Sequence, residues 1–115
     1  MDDLGAWQAQ LRKGAAELVV LGRLARGPSY GLALLQAING RGEIVTEGAL
    51  YPLLNRLERT GRVRAEWVLP DGGGNPRKYY QLTDEGRRVA TAMRARWRVF
   101  RDQITASMED GDDQR

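Results

Sequence analysis

Residues 46–86 read TEGALYPLLNRLERTGRVRAEWVLPDGGGNPRKYYQLTDEG, and no other stretch limits the fold of this chain so strongly. Thr46 is a candidate N-cap. Leu50, Leu53, Leu54 and Leu57 follow at i, i+3, i+4 and i+7, an apolar stripe with helical period. Gly61 ends that helix. From Arg62 to Leu69 the period changes to two: Val63, Ala65, Trp67 and Leu69 on one side, Arg62, Arg64 and Glu66 on the other. PDGGGN (70–75) is a flexible turn, and Arg77 to Leu82 is the return strand. Thr83 then caps another helix, with Asp84 and Glu85 suited to its N-terminal dipole. Helix, basic hairpin, helix in a small basic chain points to nucleic acid rather than to an active site.

Upstream, Trp7, Leu11, Leu18, Leu21 and Leu24 recur at helical intervals from about Leu4 to Arg26, where Gly27-Pro28 ends the segment. Gly14 and Gly22 lower its intrinsic helicity, so packing must hold it. Ser29 is placed to cap a second helix from Tyr30 to about Asn39. Asn39-Gly40 stops that helix because both residues tolerate a left-handed conformation. Pro52 inside the third helix costs a backbone hydrogen bond. Such a local violation is a pointer to function.

After Thr83, Val89, Met93, Trp97, Phe100, Ile104 and Met108 are spaced by fours and one three, a long, narrow, aromatic-rich stripe. A helix of this length outruns the core that a small domain offers. A second copy of the chain is the simplest partner for its far half; the competing reading folds the first helix back over it. The expected fold is mainly α, an α+β winged helix-turn-helix. It has three N-terminal helices, a two-stranded β wing and one long C-terminal dimerisation helix. The expected division is 1–82 for DNA binding, 83–108 for dimerisation, and 109–115 as an acidic, disordered tail.

Composition narrows the chemistry. The 115 residues contain no Cys and no His, which removes disulfides, thiolate sites, the commonest general base and the commonest transition-metal ligand. Asp84-Glu85 and Glu109-Asp110 are helix-start and tail charges, not a converging pair, so neither an enzyme nor a cofactor or metal site is expected. No apolar run approaches the roughly 20 residues of a membrane span. The N-terminus is acidic and amphipathic, unlike a signal peptide. The expected location is therefore the bacterial cytoplasm, at the nucleoid through DNA. The net charge is +3. Without the tail, which holds four acids and Arg115, the body carries +6, a balance suited to a polyanion. Only Lys13 and Lys78 among the 18 basic residues are lysine. Arg suits phosphate and guanine; a GC-rich genome is the plainer cause of the bias.

At this point the chain resembles the PadR family of bacterial winged-helix regulators. The matching pieces are LRKG (11–14), GPSYGLAL (27–34), GALYPLLNRLERTG (48–61), the strand residue Trp67 and PRKYYQLTDEG (76–86). Trp97 follows at a spacing similar to that of the short members, which lack an added C-terminal domain. Ala49 departs from the pattern, standing where many members carry Thr. The resemblance implies a homodimer that binds a roughly palindromic operator and usually represses. It also implies that flat aromatic effectors are held between two Trp residues at the dimer centre, with Trp97 in that role.

The third helix is expected to enter the major groove, with Thr46, Glu47, Gly48, Tyr51, Pro52, Asn55 and Arg56 on or near the contact surface. Asn55 and Arg56 carry donors for base edges. Arg56 reads alternatively as a solvated residue paired with an acid, and Tyr51 as a ring packed on the second helix. Ser29 and Tyr30 open the second helix as a phosphate clamp, or Ser29 is a simple cap. Asn75, Arg77 and Lys78 place a basic wing near the minor groove or phosphate. Trp67, Tyr79 and Tyr80 are expected to brace the hairpin. The dimer seam is expected to use Trp7, Leu11, Val89, Met93, Trp97, Phe100, Ile104 and Met108. Met93, Trp97, Phe100 and Trp7 are the candidate effector site. The Arg residues around the stripe favour a neutral or anionic aromatic ligand, such as a phenolic acid. The competing function is a winged helix that binds protein and not DNA, which salt-sensitive duplex binding would separate.

Overall fold

The structure is a computed structural model that describes residues 3–109. The acidic tail, Glu109 excepted, lies outside the described residues. Four helices surround a small antiparallel sheet: α1 (Leu4–Leu24), β1 (Ser29–Tyr30), α2 (Gly31–Ile38), α3 (Glu47–Arg59), β2 (Val63–Val68), β3 (Arg77–Leu82) and α4 (Asp84–Glu109). This is the expected winged helix with one strand more. The sheet order is β1-β3-β2, with Ser29 opposite Tyr80 and Tyr30 opposite Tyr79.

That extra strand corrects the reading of Ser29. Its hydroxyl donates to the Tyr30 carbonyl at 3.2 Å and caps nothing; Tyr30, extended at φ −89 and ψ 161, occupies the cap position of α2. Without β1, the outer edge of β3 would leave its backbone groups unpaired. α1 likewise ends at Leu24, two residues early, and Gly27 turns the chain at φ 144.

α2 does not end in a left-handed residue either. Asn39 has φ −95 and ψ 15, and among the described residues no non-glycine has positive φ. Asn39 instead closes the turn with its side chain. Its Nδ2 donates to the Val45 carbonyl at 2.7 Å, while Oδ1 accepts from Ile44 N at 2.9 Å and Val45 N at 3.1 Å. The amide thus fixes the connector that launches α3. Thr46 caps α3 as expected, its Oγ1 accepting from Ala49 N at 3.1 Å. The helix runs through Pro52; the Gly48 carbonyl that loses its donor belongs to an exposed residue that water can serve.

Leu50, Leu53, Leu54 and Leu57 are all buried, as the stripe required. They meet Val20, Leu21 and Leu24 of α1, Leu34 and Ile38 of α2, Val45, and the sheet residues Val63, Tyr80 and Leu82. α4 joins this core through its first turns only, where Gly86 and Ala90 are buried. Thr83 starts it: Oγ1 accepts from Gly86 N at 3.0 Å and donates to the Gly61 carbonyl at 2.6 Å. Gly86 lies so close to the Arg62 carbonyl that a Cβ there would overlap it.

Beyond Met93 the core stops, although α4 continues to Glu109. The Cα radius of gyration is 17.3 Å, against about 13 Å for a compact domain of this length. Trp97, Phe100, Ile104 and Met108 on α4, and Leu4, Trp7 and Leu11 on α1, stay exposed. α1 packs on α4 yet does not cover the stripe, so the reading in which one chain closes on itself is not realised.

Candidate nucleic-acid interface

α3 turns its leucines inward, and helical geometry sets Gly48, Pro52, Asn55 and Arg59 on the opposite side, with Tyr51 and Glu58 on one flank and Ala49 and Arg56 on the other. All eight are exposed. A Cβ at Gly48 would meet nothing within 4 Å, so this surface is open to close approach. Tyr51 is 37% exposed, and its ring edge would lie 2.6 Å from a Cβ at Gly31. It therefore packs on the start of α2, as the alternative reading had it, while keeping its hydroxyl edge near the surface.

A second group gathers at β1, just before the start of α2 on which Tyr51 packs. Arg77 stacks its guanidinium 4.5 Å from the centre of the Tyr30 ring, and Tyr30 meets Tyr79 edge-on at 5.5 Å. Tyr30, Tyr79 and Arg77 thus form one patch on the outer face of the sheet, brought together by β1, while Ser29, opposite Tyr80, is on the reverse face. Lys78 points the other way. It pairs with Glu58 of α3 at 3.5 Å and lies 5.5 Å from the Tyr80 ring. Lys78 consequently ties the hairpin to α3. Burial pushes the Tyr80 hydroxyl above its ordinary pKa, and the Lys78 ammonium beside it pulls the other way. Asn75 is exposed in the glycine turn, where Gly72, Gly73 and Gly74 all take positive φ.

Arg56 is divided from the other recognition residues. It faces α1, where Glu17 pairs with it at 3.4 Å and with Arg62 as well. Thr46, Ala49, Pro52 and Arg56 form one wall of a cleft of about 870 Å³; Met93, Trp97 and Phe100 of α4 form another. Arg12, Lys13 and Arg96 add positive charge, with Glu17 the one acid in the lining. Three of the four candidate effector residues therefore converge, and they meet the flank of α3. Trp7 does not line this cleft in the single protomer and stays 56% exposed. Arg12 also donates to the Glu43 carbonyl at 3.0 Å, tying α1 to the connector before α3.

Among the described residues, no group of acids can hold a metal, and no helix is long and apolar enough to cross a membrane. The model of the transcriptional regulator PadR-like family matches residues 20–92, which span the core, α3, the hairpin and the first turns of α4. The chain belongs to the PadR-like family. A transcriptional regulator of Mycobacterium tuberculosis is 33% identical over 82 residues, 71% of this chain and 75% of that protein. The crystal structure of a PadR family regulator from Eggerthella lenta superposes with a TM-score of 0.78 at 39% identity, covering 92% of each chain. A PadR-like regulator from Bacillus cereus gives 0.79 at 27% identity, over 87% of this chain and 97% of that one. PadR-like proteins are DNA-binding transcriptional regulators, not enzymes.

In this PadR-like chain, two residues of the surface carry no signal in the candidate motifs, Arg59 and Glu17, and a third, Trp67, departs from its expected role. Arg59 shares the solvent side of α3 with Asn55 and makes no ion pair among the described residues; the helical period alone places it there. Glu17 looked like an ordinary helix charge, and nothing in the sequence joins it to Arg56 and Arg62. Trp67 was expected to brace the hairpin with Tyr79 and Tyr80. Tyr80 does so at 4% exposure, but Trp67 is 67% exposed and braces nothing, because the hairpin extends past the helices.

Proposed function

We propose that this PadR-like regulator binds duplex DNA as a homodimer at a roughly palindromic operator and represses transcription from it. Residues 1–82 form the reading unit and 83–108 the dimerisation helix. The observation that carries this reading is the union of two unpartnered surfaces. One is the open side of α3, with the Tyr30–Arg77 stack just before the start of α2 that Tyr51 packs on; the other is the exposed aromatic stripe that continues along α4 past the core. Two α3 helices related by a two-fold axis would meet major grooves about 34 Å apart. Thr46, Glu47, Gly48, Tyr51 and Asn55 would contact the groove, with Pro52 at its rim, and Arg56, whose side chain is 55% exposed, would join them by exchanging Glu17 for DNA. Ser29, Tyr30, Asn75 and Arg77 would hold phosphate or the neighbouring minor groove, and Lys78 would do so from the other face of the hairpin by exchanging Glu58 for phosphate. Trp7 and Leu11 of α1 would join Val89, Met93, Trp97, Phe100, Ile104 and Met108 in the seam. A neutral or anionic aromatic effector would fit the cleft between Trp97, Met93 and Phe100, whose charge is basic, and Trp7 could reach it from the second protomer.

Gel shifts on the region upstream of the protein's own gene, at several salt concentrations, test the DNA reading. The wild type should prefer that region over random duplex. Arg77→Ala/Lys78→Ala should bind more weakly, with a salt slope shallower by about 0.9 for each phosphate left without its cation. Binding no better than to random DNA, with an unchanged slope in the variant, would refute operator binding through the hairpin. Quenching of Trp fluorescence by phenolic acids, absent in Trp97→Ala, tests the effector site.

A further inference from the structure

The inner side of the hairpin is longer than the layer of helices that covers it. Successive cross-strand pairs on that side are Val63 with Leu82, Ala65 with Tyr80, and Trp67 with Lys78. Directly opposed residues put their side chains on the same face. Val63, Leu82 and Tyr80 are buried, Ala65 is half-buried, and then the cover ends. Trp67 is 67% exposed, and Leu69, next on the same side by strand alternation, is 69% exposed. The place of this overhang relative to α3 is fixed by Lys78, which sits across from Trp67 and pairs with Glu58 at 3.5 Å. Trp67 therefore stands beside the C-terminal half of α3, next to the side that carries Asn55 and Arg59.

We propose that Trp67 is a DNA-contacting residue. Its indole packs on the deoxyribose carbons bordering the minor groove next to the groove that α3 enters, and its Nε1–H donates to a phosphate oxygen. This rests on the DNA-binding reading above. Charge selects the occupant: Arg59 stands on the neighbouring side of α3 with no ion pair among the described residues, Lys78 shares the face of Trp67 with Glu58 as its counter-charge, and the reverse face of the same hairpin carries Arg64 and Arg77 against Glu66. A large apolar group in a basic setting matches a sugar-phosphate edge, which offers carbon between charged oxygens, and apolar side chains at minor-groove edges are a recurrent device. The contact is mostly apolar and independent of base identity. It thus adds affinity on any duplex and leaves the number of displaced counterions nearly unchanged.

The reporter is the emission of the natural chain minus that of Trp67→Phe, a difference that isolates Trp67 and leaves Trp7 and Trp97 in place. Both proteins are titrated with the upstream region and with random duplex at low salt, alongside gel shifts of Trp67→Ala in the otherwise natural chain. In free protein that difference should be the emission of a water-exposed indole. Either duplex should move it to the blue and cut acrylamide quenching about twofold or more. Trp67→Ala should weaken binding to both duplexes about tenfold. Its salt slope and thermal midpoint should match the wild type, which a bracing residue would not permit. If the wild type binds neither duplex, DNA binding itself fails, and this proposal with it. If the wild type binds while Trp67 stays water-exposed and Trp67→Ala binds equally well, this proposal alone is overturned. A blue shift of that difference that grows with protein concentration in the absence of DNA would also overturn it, by showing that a second copy covers the overhang.

Discussion

Replacing Asn39 by Ala should be among the most damaging single changes to the turn that positions α3. The side chain makes three hydrogen bonds to the connector, two of them to Val45, which is 2% exposed. The alanine variant leaves the Val45 N–H, the Val45 carbonyl and the Ile44 N–H without partners. Each buried group left unsatisfied costs about 1–3 kcal/mol, and partial relaxation of an exposed loop lowers the sum. A loss of about 2–4 kcal/mol is expected, a large share of the roughly 5–15 kcal/mol that hold a domain together. At about 4 °C per kcal/mol, the thermal midpoint should fall by about 8–16 °C. Urea unfolding at matched protein concentration, followed by far-UV circular dichroism, measures this directly. The midpoint should drop with the slope unchanged, because the surface exposed on unfolding is the same. Asn39→Asp is the companion variant: it keeps an acceptor for Ile44 and Val45 but sets a carboxylate oxygen against the Val45 carbonyl, and it too should lose stability. A change below about 0.5 kcal/mol in Asn39→Ala would refute the reasoning and leave Asn39 as an ordinary helix-stop residue.

Gly86→Ala should cost about 2–3 kcal/mol, since its Cβ overlaps the Arg62 carbonyl and both sides of the clash are backbone; a thermal midpoint within a degree of wild type would contradict the close packing of α4 on the start of β2. Gly31→Ala meets only the edge of the Tyr51 ring, a movable side chain, and should cost less in the same assay. The proposed pairing of two copies along α4 predicts a dimer for the wild type in sedimentation equilibrium and a monomer for Ile104→Asp with the helical signal retained, because a charge enters the exposed stripe; a wild-type monomer would refute that pairing. Tyr80 has a folded-state pKa above its ordinary 10.0, chiefly through burial. Its contribution to stability is therefore complete below about pH 10 and is lost as pH climbs through the raised value. Urea midpoints should decline over that alkaline range in the wild type and decline less in Tyr80→Phe.

The elements themselves were legible because they rest on local periodicity. The leucines of α3 at i, i+3, i+4 and i+7 could be satisfied only by one buried helical face. Alternation from Val63 announced β2, and Thr46 and Thr83 cap their helices through bonds to residues three positions away. The exposure of the solvent side of α3, from Gly48 to Arg59, was readable on the same ground. The uncertain places were those where a short stretch had two local solutions. Ser29 makes a good helix cap in isolation, but the open edge of β3 takes it as strand. Asn39 was expected to stop α2 through its backbone, but it does so through its side chain, since Ile44 and Val45, five and six residues on, offer three groups that need partners.

Sequence alone determined the four helices and the two hairpin strands, which face of each is apolar, the absence of Cys and His chemistry, and the resemblance to PadR regulators; β1 came only from the open edge of β3. Tertiary structure alone decided which long-range partners those faces met. Glu17 joined Arg56 and Arg62, more than 35 residues away. Lys78 was drawn to Glu58 while Arg77, its neighbour, settled on Tyr30. Trp67 was left outside the cover that Tyr80 enjoys. The physical reason is range. Backbone hydrogen bonding and hydrophobic period act within a few residues, so they are written along the chain. Ion pairs, ring stacking and the extent of a covering layer depend on where distant elements come to rest in space.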